Sequence, residues 1–125
     1  MPSPTETVTA FCAEWGKNKQ AMFDSFRSYF TPTTVWENVG LATTTGIDEA
    51  LGLMQSFEGC ETIRVDMVNI SAAGNKVLTE RVDTMVGPDG KDIMGIRLMG
   101  IFEVEGDKIA SWRDYFDTAA MNPAG

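Results

Sequence analysis

Apolar positions change their rhythm midway along the chain. In the first half they recur with helical spacing. Val8, Phe11, Cys12 and Trp15 stand at i, i+3, i+4 and i+7 and predict a helix over 5–15, with Ser3 or Thr5 as its cap. Gly16 breaks the pattern. A second helix is predicted from about Asn18 to Tyr29, with Met22, Phe23, Phe26 and Phe30 on one side. Thr31-Pro32 stops it, because the residue before a proline is pushed out of the α region. A short strand over 35–39 follows, and then a helix over 47–57 with Ile47, Leu51 and Met54 in register. Asp48 and Glu49 fall in its first turn, where the helix dipole favours negative charge.

The second half reads as strands over 61–72, 76–86, 92–104 and 108–117. Their separators, Ala73-Gly74-Asn75, Gly87-Pro88-Asp89-Gly90 and Gly106-Asp107, are turn-formers of hairpin length. Helices followed by a run of strands point to an α+β fold. Strands this long must coil. The expected architecture is a cone: a curved mixed or antiparallel sheet wrapped around the N-terminal helices, with one open end and an interior pocket.

Composition narrows the chemistry. The 125 residues contain no histidine. Ser-His-Asp and Cys-His nucleophiles are therefore excluded within the chain, as are histidine-based zinc and iron sites. Acid–base work near neutral pH falls to carboxylates, lysines or tyrosines. The net charge of −8 argues against nucleic acid as a partner, and no polybasic run offers a membrane patch. Cys12 and Cys60 form no metal or redox motif, and Cys12 sits on an apolar helix face. The start, MPSPTETV, lacks the features of a signal peptide, and no apolar run is long enough to cross a membrane. A cytoplasmic protein of one domain over 1–125, with no metal and no cofactor, is the expectation.

Strand alternation groups the candidate residues. Trp112, Asp114 and Phe116 share one face of the last strand, and Arg113 and Tyr115 the other. Asp114 between two aromatics either reaches water at a covered sheet edge or is a desolvated carboxylate with a raised pKa, a candidate base. In the strand over 76–86, Arg81 and Asp83 share a face with Val77, Thr79 and Met85. Neither face is cleanly apolar, so alternation does not say which is inside; a surface ion pair is the default reading, and part of an interior site the alternative. Trp36 and Asn38 share a face of the early short strand, an aromatic beside an amide.

Taken together, Glu80-Arg81-Val82-Asp83, Trp112-Arg113-Asp114-Tyr115-Phe116 and the early Asn38 resemble the limonene-1,2-epoxide hydrolase family. That family lies within the nuclear-transport-factor-two-like superfamily of cone-shaped folds, and the resemblance runs from the first helix to about Asp117. It implies an Asp–Arg–Asp triad that opens an epoxide in one step, giving a vicinal diol. Carried over, Asp114 is the base that takes a proton from water, Asp83 the acid that protonates the epoxide oxygen, and Arg81 the fork between them. Asn38 orients the water. The family usually has a tyrosine two residues before this asparagine, whereas this chain has Trp36, which can donate a hydrogen bond but not accept one.

The residues expected to line an apolar pocket are Met85, Ile96, Leu98 and Phe116 from the strands, with Leu51, Met54 and Phe57 from the third helix. The implied partners are a hydrophobic epoxide (terpene-like, cyclic or steroid-like), water, and a second copy of the chain in a homodimer. That dimer would form through the convex face of the sheet, where the outward residues, among them Arg97 or Arg113 with Met99 and Ile101, would suit the interface. Two other readings stand beside this one. One is a ketosteroid-isomerase-like or polyketide-cyclase-like enzyme on the same scaffold. The other is a non-catalytic binding module.

Overall fold

The structure is a computed structural model and describes residues 2–121. Helix α1 (Pro4–Glu14) begins with a capping box: the Ser3 hydroxyl accepts from the Glu6 amide, and the Glu6 carboxylate accepts from the Ser3 amide. Asn18 caps α2 (Lys19–Tyr29) through the Ala21 amide. Strands β1 (Phe30–Asn38) and β2 (Ala42–Thr45) form a hairpin, and α3 (Gly46–Gln55) follows. Four long strands complete the sheet: β3 (Thr62–Ala73), β4 (Lys76–Val86), β5 (Asp92–Glu105) and β6 (Lys108–Phe116).

The strand order is β2-β1-β6-β5-β4-β3. Every pairing is antiparallel except β1 with β6, which is parallel and sets Trp36 beside Trp112 and Asn38 beside Asp114. Irregularities at Met67/Asn69, Met85/Val86 and Glu103/Val104 bend the long strands. The helices fill the concave side. Phe11 and Trp15 of the first helical segment, Phe26 of α2, and Phe102 and Trp112 of the sheet meet in one aromatic core.

The expected α+β cone is the fold found, and of the two sheet types expected, mixed or antiparallel, the parallel β1–β6 pair makes it mixed. Beyond shifts of one residue at several ends, three elements differ from expectation. Strand β1 starts at Phe30 rather than 35, because its Thr31-Pro32-Thr33 stretch is an irregular part of the strand, not a connector. Strand β2 was not foreseen, since four residues of Ala and Thr carry no apolar alternation. Helix α3 ends at Gln55, two residues short of Phe57.

Candidate active site

The inner face of β4 runs Val77, Thr79, Arg81, Asp83, all buried. Arg81 is only 1% exposed, which removes the surface-ion-pair reading. Its guanidinium uses all of its nitrogens. Nε and Nη2 donate to the two oxygens of Asp83 at 3.1 and 2.9 Å. Nη2 also donates to Asp114 Oδ2 at 2.9 Å, and Nη1 donates to Thr79 Oγ1 at 2.9 Å. Thr79 passes the contact on, its hydroxyl donating to the Gly100 carbonyl at 3.0 Å. Asp114 Oδ1 accepts from Trp112 Nε1 at 2.7 Å.

One buried cation thus holds two carboxylates. Burial alone would lower the Arg81 pKa, but Asp114 and Asp83 outweigh it and raise it above the ordinary arginine value. Asp114 is shifted the other way from an ordinary salt-bridged acid. Its burial raises the pKa, the Asp83 charge adds to that, and Arg81 and the Trp112 N–H offset only part. The shared site therefore favours retention of one proton between the two acids. Cys12, on the helix above, is pushed up to about 12 by burial and stays a neutral thiol. Among the described residues, no group of three acidic or cysteine side chains is spaced to hold a metal ion.

A cavity of about 120 Å³ opens over this network, and Asp83 and Asp114 are among its few polar lining residues. Asn38, Trp36 and six of the expected apolar residues line it too: Met54, Phe57, Met85, Ile96, Leu98 and Phe116. Leu51 does not; it packs against the core instead. Arg81 sits behind the two aspartates rather than in the wall.

A family model for the limonene-1,2-epoxide hydrolase catalytic domain matches residues 2–124. The chain belongs to that family. Epoxide hydrolase EphG of Mycobacterium tuberculosis is 34% identical over 100 residues, covering 79% of this chain. The match spans 65% of that relative's length. The solved structure of an LEH-like epoxide hydrolase of M. tuberculosis superposes with a TM-score of 0.77 at 29% identity, over 96% of this chain and 82% of that one. A SnoaL-like protein of Jannaschia sp. gives a TM-score of 0.76 at 22% identity, over 97% and 90% of the two chains, which speaks to the fold alone.

Within this limonene-1,2-epoxide hydrolase family member, Trp36 is buried and stacks on Trp112 with centroids 4.7 Å apart and planes 9° from parallel. Its Nε1, like that of Trp15, is buried without a protein partner. Sequence reasoning had not singled out Trp15, Thr79, Gly100 or the donor role of Trp112. Trp112 was signalled by its place two residues before Asp114 on the same strand face and in the motif Trp112–Phe116, neither of which gives its donor role.

Proposed function

We propose that this chain is an epoxide hydrolase that adds water to a hydrophobic epoxide in one step. The observation that carries this reading is a single buried guanidinium joining two aspartates at the polar end of an apolar cavity. Asp114 takes a proton from water. The water oxygen bonds to one epoxide carbon as that carbon–oxygen bond breaks, and Asp83 gives its proton to the departing oxygen. Arg81 keeps both carboxylates at one site and offsets their repulsion. Asn38 lies in register with Asp114 and orients the water, and the unpartnered Trp36 N–H supplies a donor on the same strand. No covalent ester forms and no cofactor takes part. A cavity near the size that holds benzene (about 150 Å³) suits a monocyclic, terpene-like epoxide. A steroid skeleton would project past the half-exposed Leu41 at its rim.

The reading extends to location and assembly. Two buried free thiols, Cys12 and Cys60, suit a reducing compartment such as the cytoplasm. The outer face of the sheet, with exposed Met99 and Tyr115, suits a homodimer.

The test is a single turnover in ¹⁸O-water with a panel of cyclic and styrene-type epoxides. Labelled diol on the first turnover supports one-step attack; unlabelled first-turnover diol indicates an ester, and no diol across the panel ends the proposal. Asp114→Asn and Asp83→Asn should each lower kcat by about 10²–10⁴-fold with the fold retained. Because the base must be ionised and burial raises its pKa, kcat/KM should fall on the acid side with a midpoint above the usual aspartate value of about 3.9.

A further inference from the structure

The two aspartates are not equivalent in their surroundings, and the difference runs against the roles just assigned. Asp114 is the more buried, with a side chain 4% exposed against 13% for Asp83. Asp83 also takes both arms of the guanidinium, while Asp114 takes one. Burial and cation contact alone would therefore favour a proton on Asp114, the intended base. Among the described residues, the one further side-chain donor at the pair is the Trp112 indole N–H on Asp114 Oδ1.

We infer that Trp112 is a positioning residue that biases Asp114 toward its ionised form, by donating to one of its carboxylate oxygens. The inference rests on the reading of Asp114 as base. An indole nitrogen donates and cannot accept, and the same is true of a guanidinium. Both Asp114 oxygens thus meet obligate donors from two different groups, Trp112 at 2.7 Å and Arg81 at 2.9 Å. The N–H cannot swing away. Trp112 is 2% exposed, and its ring stacks on Trp36, on Phe102 at 5.1 Å and on Trp15 at 5.2 Å.

Among the described residues, no other group facing Asp114 can substitute. Strand β4 presents Arg81 and Asp83, and α1 presents the neutral Cys12 thiol. Strand β5 presents Gly100, which has no side chain. Strand β1 places the uncharged Asn38 alongside. Arg113, on β6 itself, binds Glu103 and Ser111 on the opposite face.

The experiment removes the donor and keeps the stack. Trp112 is replaced by 3-benzothienylalanine, in which sulfur stands where the N–H was, and in parallel by Trp112→Phe. Asp carboxyl carbons are ¹³C-labelled, Asp114→Asn identifies the signal, and its titration is followed by NMR. The Asp114 midpoint should rise by about one pH unit, the size of one hydrogen bond to a charged group. The acid limb of kcat/KM should move with it while KM holds. An unmoved midpoint in the sulfur isostere overturns the inference, even if diol forms. A raised midpoint in a protein that yields no diol from any epoxide upholds Trp112 and removes the epoxide reading instead.

Discussion

Gly100 shows how closely the site is built, because the space where its side chain would stand is already taken. A Cβ there would overlap Asp114 Oδ1 and lie 2.6 Å from Arg81 Nη1 and 3.1 Å from Thr79 Oγ1. None of these atoms can retreat cheaply, since each is held by a buried hydrogen bond. Gly100→Ala should therefore destabilise by about 1–3 kcal/mol, the usual cost of overpacking. It should also cut kcat more than it raises KM. Denaturant midpoints and steady-state kinetics check both, and a variant with wild-type values would mean the network is looser than its contacts imply. The residue scale is also where the sequence was least legible. Alternation placed Arg81 with Asp83 and Trp112 with Asp114, but it could not say which face of β4 was inside. Alternation put Thr79 on the Arg81 face without a role, and Gly100 carried no signal, for a threonine and a glycine in a strand are ordinary until the partner strand brings them against a guanidinium.

At the scale of elements, the irregular stretch of β1 positions half of the site. Between Phe30 and Val35 the pairing with β6 slips, and Thr34 bridges the gap. Its hydroxyl donates to the Ile109 carbonyl at 2.6 Å and accepts from the Thr31 amide at 2.8 Å. Thr34 is fully buried, so Thr34→Val would leave two backbone groups without their partner. A loss of about 1–3 kcal/mol is expected, read as a lower urea midpoint at unchanged slope. An unchanged midpoint would show that β1 closes the gap by other bonds. This stretch also explains which elements could be read beforehand. The helices and four long strands were legible because each repeats its period several times. The first residues of β1 were read as a connector, since Thr31-Pro32 ends a helix and proline weakens a strand. The parallel pairing of β1 with β6 joins distant parts of the chain, and no local pattern encodes it. Asn38 could be recognised as a candidate without its neighbour Asp114 being visible.

For the whole molecule, the outer face of the sheet exposes large apolar side chains. Met99 pairs in register with Tyr115, and Leu78 with Ile101. Leu78, Met99 and Tyr115 are each about half exposed, at 45%, 52% and 49%. They form an apolar strip across β4, β5 and β6, bordered by the Arg113–Glu103 pair at 3.1 Å. A second copy related by a twofold axis would bury this strip against itself. Light scattering should give a dimer mass for the native chain and a monomer mass for Met99→Glu, which sets like charges near the axis. A monomeric native chain would remove the homodimer from the proposal. One consequence of the aromatic packing remains. All three tryptophans of the chain, Trp15, Trp36 and Trp112, line the same cavity. Their emission therefore comes wholly from the site. Stacked indoles couple their electronic transitions, so the near-ultraviolet circular dichroism and fluorescence of the native protein should report occupancy of the cavity with no label attached.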